Sequence, residues 1–319
     1  MNDPRLRQEQ VNAMRAMLAS TVEATGARAR TRPTRVVRRV GFGALAAGAL
    51  AAVVAAVTIV VPAGQPADLS ADASTMLREA AAATDDPEVG DGQFLKLATS
   101  ASYLALTTVD GRAETTIGYL ESQVREVYLP ADESARPVAQ TTHVEPTVFF
   151  GEGAQEFAAR EWSGQSDTVA VPVARPADAT RPVEDQSAMP RDPTELLAYL
   201  TEFRYQAGSS DENVFAHVVD LLRAGNVKSD LRAALYQALA LMPSVVITEQ
   251  QATLDGRVGT AIGLQGTEGD TRQEIIIDPS TGEYIGVRLV TISGFGEIPP
   301  GTPLEYTALS TSVVNAVPR

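Results

Sequence analysis

Val40–Val61 reads VGFGALAAGALAAVVAAVTIVV, 22 residues without a charge, and the reading of this stretch decides how the rest of the chain is organised. As a helix rising about 1.5 Å per residue it is roughly 33 Å long, enough to cross a hydrocarbon core of about 30 Å. Arg28, Arg30, Arg32, Arg35, Arg38 and Arg39 crowd its N-terminal side, and no arginine follows it until Arg78. The positive-inside bias therefore predicts a single-pass membrane protein with residues 1–39 in the cytoplasm and the C-terminal part extracytoplasmic.

A cleaved export signal is the rival reading, because Arg38-Arg39 before a mildly apolar run has the look of a twin-arginine signal. The apolar run, however, exceeds the usual length of about 7 to 15 residues, and no small-x-small cleavage site follows it directly. The nearest, Ala71-Asp72-Ala73, comes ten residues later. A buried soluble helix rarely needs so long an uncharged run beside a basic cluster. Gly48, Ala52 and Ala56 form a small-xxx-small row of the kind that packs two spans together.

Charge divides at the span. Residues 1–39 hold nine arginines against three acidic residues; of the chain's 26 basic and 40 acidic residues this leaves 17 and 37 beyond, a net of −20. The inner basic patch fits anionic lipid headgroups, and the acidic outer part argues against a nucleic-acid ligand. The chain has no cysteine, which excludes disulfides, thiolate catalysis and cysteine-bound zinc, so the outer part must be held by its own core. Two lysines, Lys96 and Lys228, against 24 arginines, with abundant alanine, suggest a GC-rich bacterial genome.

Within the inner segment, Pro4 to Glu23 reads as an amphipathic helix. Leu6, Val11, Met14, Leu18 and Val22 recur near one face, while Arg5, Arg7, Glu9 and Arg15 fall largely elsewhere. A helix this short has no core of its own, so the stripe is expected to lie on the bilayer, on a second copy or on a partner protein.

Outside, 62–69 reads as a tether and Ser70–Ala83 as a helix with Met76, Leu77 and Ala80 inward. The acidic loop Thr84–Asp91 carries Asp85, Asp86, Glu88 and Asp91 but lacks the alternation of a calcium loop, and it is read as solvated. Strands are predicted at Phe94–Thr108, Thr115–Leu129 and Val138–Phe150, and a second meander at Val245–Leu254, Val258–Leu264, Arg272–Asp278, Glu283–Ile292 and Leu304–Val317. In the fourth of these, Ile285, Val287 and Leu289 alternate with Gly286 and Arg288, as one dry and one wet face require.

Asp110-Gly111-Arg112 and Asp255-Gly256-Arg257 are both hairpin signals. Each is followed at the same spacing by Thr-x-Ile-Gly, an offset of 145 residues, and Arg125–Leu129 parallels Gln273–Ile277 after a three-residue shift. The spacing suggests one hairpin-plus-strand unit used twice.

The segment between the meanders, about 151–243, reads as helical. A short helix is expected at Gly151–Trp162, followed by an irregular crossing from Ser163 to Pro190. Asp192-Pro193-Thr194-Glu195 is a helix start with an N-cap, proline at the first position and glutamate at the third; Leu196, Leu200 and Phe203 then face inward. A second helix is predicted at Glu212–Ala224 and a third capped by Ser229. The fold class is thus α+β: a transmembrane helix, then an extracytoplasmic, curved, half-barrel-like antiparallel sheet of residues 70–319 with the helical insert on it.

Chemistry is sparse. His143 and His217 are the two histidines, neither set in a hydrolase motif, and no phosphate loop, dinucleotide fingerprint or metalloprotease motif occurs. No enzyme, cofactor or metal site is expected. A helix-covered sheet can enclose an apolar space, which leaves an envelope lipid or peptide as a ligand class.

Arg232-Ala233-Ala234-Leu235-Tyr236, Leu239-Ala240-Leu241-Met242-Pro243, Asp255–Gly259 and Asp278-Pro279-Ser280-Thr281-Gly282, in that order behind an arginine-flanked span, resemble a family of actinobacterial single-pass membrane proteins of uncharacterised role, often encoded beside extracytoplasmic-function sigma factors. The resemblance covers roughly Ser70 to Ile292 and implies an envelope sensor or anti-sigma-like regulator without catalytic residues. The best-known anti-sigma class binds zinc through a histidine and two cysteines, so a sigma factor here would have to be met by the bare stripe Leu6, Val11, Met14, Leu18 and Val22. The alternative is a membrane-tethered module that binds a lipid or envelope component and does not signal.

Overall fold

Among the described residues ten strands pair into one antiparallel sheet whose order is not the order of the chain. The computed structural model describes residues 66–112, 115–132, 136–162, 171–172, 185–202, 209–265 and 270–317, all within one compact unit. The predicted span Val40–Val61 and the stripe Leu6, Val11, Met14, Leu18 and Val22 lie outside these residues. No helix among the described residues is long and apolar enough to cross a membrane.

In chain order the elements are α1 (Pro66–Ala83), β1 (Phe94–Thr108), β2 (Thr116–Pro130), β3 (Val138–Val144), β4 (Phe149–Phe150), α2 (Ala154–Glu161), β5 (Val171–Pro172), α3 (Pro193–Glu202), α4 (Ser210–Arg223), α5 (Ser229–Ala240), β6 (Val245–Leu254), β7 (Arg257–Leu264), β8 (Thr271–Asp278), β9 (Glu283–Thr291) and β10 (Pro303–Val314). The sheet runs β5-β3-β2-β1-β10-β9-β8-β7-β6, with β4 also on β2. The architecture is therefore α+β with an antiparallel sheet. What joins the two meanders is the last strand: β10 pairs with β1 from Phe94↔Val314 to Tyr103↔Glu305 and with β9 on its other side.

The helices gather on one face. α1 lies along α5 and β6, α3 along α4 and α5, and α4 rests on β7 and β9. Leu77, Leu196, Leu200, Phe215, Leu222, Leu231, Leu235, Ile262 and Ile275 are fully buried in this main core. A smaller cluster, Ala252, Leu254, Ala261, Ile276, Ile285 and Ala308 with Tyr306, occupies the opposite face. Two helix starts have clear local causes. The Asp192 carboxylate accepts from the N–H groups of Thr194 (2.9 Å) and Glu195 (3.0 Å), as its sequence predicts. Ser209 and Glu212 form a reciprocal capping box at α4, with bonds of 3.2 and 2.7 Å.

Several expectations are corrected. α1 begins at Pro66, so the second half of the expected tether is helix; α4 begins two residues before Glu212 because Ser209 caps it. The strand expected at Val138–Phe150 is broken into β3 and β4, and β5 falls in the stretch read as irregular. The two Asp-Gly turns differ. Asp255 (φ 50) and Gly256 (φ 77) both take positive φ in a two-residue connection, whereas in the longer connection after β1 Gly111 takes positive φ and Asp110 before it does not. The downstream parallel also fails, since Arg125–Leu129 continues β2 while Gln273–Ile277 lies on the separate strand β8. Finally, β9 has no wet face. A bulge opposite Ile276/Ile277 turns Ile285 onto the face away from the helices, and Arg288 on that face is only 4% exposed.

Candidate functional site

The end of α1, the start of α5 and the β8–β9 turn meet in one joint. Lys228 stands at the N-cap of α5 and offers no side-chain acceptor, so the expected cap by Ser229 is replaced. Asp86, from the loop after α1, takes that role: the Ser229 N–H lies 3.0 Å from both carboxylate oxygens, and Ser229 Oγ donates to Oδ2 at 3.0 Å. A carboxylate there satisfies orphan donors and favours the positive end of the helix dipole. One turn on, Arg232 donates through Nη2 to the Asp85 carbonyl (2.7 Å) and through Nη1 to the Val227 carbonyl (3.0 Å). Asp85, Glu88 and Asp91 of the loop read as solvated are exposed, but the Asp86 carboxylate and the Asp85 carbonyl make its start a structural clasp.

A further turn along α5, fully buried Tyr236 donates to the Gly282 carbonyl at 3.2 Å. Burial pushes its phenol pKa upward, which keeps the hydroxyl a donor. Gly282 takes φ +66, and a Cβ there would meet the Ala80 carbonyl oxygen of α1 at 2.3 Å. The turn itself is tied by Asp278, which accepts from Ser280 N (2.9 Å) and Ser280 Oγ (2.6 Å). The Ser280 hydroxyl holds the Asp278 carboxyl below its usual range. On the neighbouring strands Arg257 reaches Glu283 at 2.6 Å and the carbonyls of Ile285, at 3.0 Å, and Leu309. Residues of the motifs Arg232–Tyr236, Asp255–Arg257 and Asp278–Gly282 therefore supply contacts on and around the β8–β9 turn.

A second assembly crosses the face away from the helices. Register places Ser122, Ser102, Tyr306, Arg288, Glu274 and Gly263 in one line over β2, β1, β10, β9, β8 and β7. Ser102 and Ser122 share a 3.0 Å hydroxyl bond. Glu274, fully buried, accepts from Arg288 Nε on one oxygen and from Arg272 Nε on the other, both at 2.7 Å. Arg288 Nη2 then reaches Glu249 on β6 at 2.6 Å. Burial works against the Arg288 charge, but Glu274 and Glu249 more than offset it. Two arginines and two glutamates leave the group neutral, and neither assembly includes an imidazole. Their chemistry is positional: they fix strands and helices relative to one another.

On the helix face, Arg223 at the end of α4 pairs with Glu305 of β10 at 3.2 Å. Burial first, then Glu305, raises the Tyr103 phenol beside them. His217 is buried within α4 and His143 is half-buried on β3, opposite Gln123. Among the described residues no three His, Asp or Glu side chains gather in a way that could hold a metal ion. The sequence reading missed Asp86, Arg257, Glu274 and Arg288. For Asp86 a signal existed: a helix starting after Lys228 lacks a local acceptor. The chain matches no protein-family model and no curated protein.

Proposed function

We propose that the chain is a single-pass envelope protein whose outer α+β domain senses a ligand, partner or envelope stress, and whose inner helix holds or releases a sigma factor through Leu6, Val11, Met14, Leu18 and Val22. The observation that supports this reading is how α1 is built into the outer domain. Only four residues, 62–65, separate its start at Pro66 from the end of the predicted span at Val61. It then buries Ala73, Met76, Leu77, Ala80 and Ala81 in the main core and ends in the joint with α5 and the β8–β9 turn. A rearrangement of the helix layer would move the segment entering the membrane, which a loosely tethered binding module does not require. The alternative, a lipid- or envelope-component-binding module, needs apolar space between helices and sheet; there Leu77, Leu235, Ile262 and Ile275 are already fully buried. The motif likeness to the sigma-factor-linked actinobacterial family points the same way.

Affinity capture of the intact protein from membranes tests the proposal. A sigma factor among the captured proteins is the expected result. Captured lipid without any transcription factor, unchanged by deletion of residues 1–25, would favour the alternative.

A further inference from the structure

Six large apolar side chains are exposed among the described residues; Val109, Phe149, Leu241 and Ile292 lie toward one end of the sheet, while Val144 sits opposite Ser122, midway along β2. Val109 lies in the β1–β2 connection, Val144 and Phe149 flank the β3–β4 connection, Leu241 lies between α5 and β6, and Ile292 follows β9. All are 36–67% exposed. The β1–β2, β7–β8, β9–β10 and α5–β6 connections leave the sheet at this same end, as the antiparallel registers require. Val258, the sixth, lies beside the β6–β7 turn at the opposite end.

The direction of α1 relates this end to the membrane. The residue that follows α1 touches the first residue of α5, with Thr84 Oγ1 donating to the Ser229 carbonyl oxygen at 3.3 Å, and the two helices lie along each other. They are therefore antiparallel, and α1 begins toward the end where α5 runs out at Leu241. Four residues, 62–65, separate that beginning from the end of the predicted span. The chain thus enters the domain at the end that carries the apolar side chains.

We infer that this end of the domain, through Val109, Phe149, Leu241 and Ile292, rests on the bilayer surface; the inference builds on the membrane-anchored reading above. Scattered single apolar residues are ordinary on a protein surface, but their concentration at the end that receives the span is what a shallow interfacial contact requires. Asp110, paired with Arg112, and Glu145, Asp270 and Glu297 lie in the same connections, and Glu152 lies in the β4–α2 connection. They favour a neutral headgroup surface and make anionic lipid the poorer substrate for docking.

The absence of native cysteine permits single nitroxide labels in the full chain. Val109→Cys, Leu241→Cys, Ile292→Cys and Val258→Cys variants are labelled and reconstituted in phosphatidylcholine vesicles. Oxygen and nickel-chelate accessibilities are then measured by electron paramagnetic resonance. The expected result is a several-fold higher oxygen-to-nickel ratio at positions 109, 241 and 292 than at 258, and a smaller difference when phosphatidylglycerol is added. Equal, water-like ratios at all four positions in protein that floats with the vesicles would overturn the docking while leaving the anchor intact. Protein that fails to float would overturn both. Labels immobilised and dipolar-coupled in detergent without lipid would mean that a second copy covers this end, and would also overturn the inference.

Discussion

Arg288 and Glu249 close an ion pair of 2.6 Å across two intervening strands, β8 and β7. Adjacent strands are about 4.8 Å apart, so the pair reaches over roughly three spacings on one face. Gly263 helps keep the way open. A Cβ there would stand 2.9 Å from the Gln273 carbonyl oxygen and 3.5 Å from Glu274 Cγ, so a branched side chain would press on Glu274 and into the space the pair crosses. Gly263→Val is expected to lower stability by about 2–4 kcal/mol through overpacking and loss of the pair. Arg288→Met, which leaves Glu274 buried with one arginine fewer, is expected to cost about 3–5 kcal/mol. Adding Glu274→Leu to Arg288→Met should recover much of that loss, because a well-packed apolar pair removes the uncompensated charge. Urea unfolding of the detergent-solubilised protein measures all three; no recovery in the double variant would mean that the network does more than neutralise its own charges.

Among the described glycines, Gly282→Ala combines a 2.3 Å clash with a positive φ and should be strongly damaging. Its Cβ would overlap the Ala80 carbonyl of α1, and its backbone holds a positive φ that alanine adopts at a cost. Strain of this kind is worth about 1–3 kcal/mol before the overlap is counted. Tyr236→Phe, which removes only the bond to the Gly282 carbonyl, should cost about 1 kcal/mol. Thermal unfolding followed by circular dichroism separates the two effects; a larger loss for Tyr236→Phe than for Gly282→Ala would contradict the steric account.

Asp86→Ala removes a cap supplied from 143 residues away. The expected loss is about 1–2 kcal/mol, the range for helix N-caps. Hydrogen exchange should show faster amide exchange concentrated in the first turn of α5 and the last turn of α1. Exchange that rises uniformly over the domain would mean that the loop acts by some other route.

How far the sequence foretold this arrangement varies by element. The stripes of α3, α4 and α5, the Asp192 cap and the β6–β7 Asp-Gly turn were legible because their causes lie within one or two turns of chain. The Asp86 cap, the Arg257 contacts and the Arg288–Glu274–Glu249 network were not, since each depends on partners brought together by the sheet order. Arg288 misled most plainly: an arginine alternating with Val287 reads as solvent-facing unless its carboxylates and the bulge at Ile285 are known. The Asp-Gly-Arg repeat misled because a good turn sequence serves two different connections.

Acid should loosen the β8–β9 turn. The Ser280 hydroxyl keeps the Asp278 carboxyl ionised below its usual range, so the folded-state pKa is depressed. Its stabilising contribution is then fully present above the unfolded value of about 3.9 and is lost as pH falls through the lower folded value. Asp278→Asn should therefore be less stable than the native protein at neutral pH, with the two stabilities converging below about pH 4. Denaturant titrations at pH 7, 4 and 3 check the sign. A constant difference across that range would show that the carboxylate charge is not what ties the turn.

The stripe expected in residues 4–23 offers the most direct test of the signalling reading, because it can be altered without touching any residue of the outer α+β fold. Val11, Met14 and Leu18 are central to the apolar face expected for Pro4 to Glu23. Replacing all three with aspartate removes that face while preserving length, and the arginines that set topology lie beyond it, so insertion should be unaffected. Loss of several apolar anchors from a helix-in-groove contact of about 8 kcal/mol, a micromolar affinity, should abolish capture of a sigma factor altogether. The outer-domain variants Gly282→Ala and Asp86→Ala should instead alter how much sigma factor is held without abolishing the contact, since they change the joint at which α1 meets the sheet. Quantitative pull-down from membranes compares the four proteins. If the triple variant captures as much as the native chain, the stripe is not the contact. If the outer-domain variants capture native amounts, no signal passes through α1.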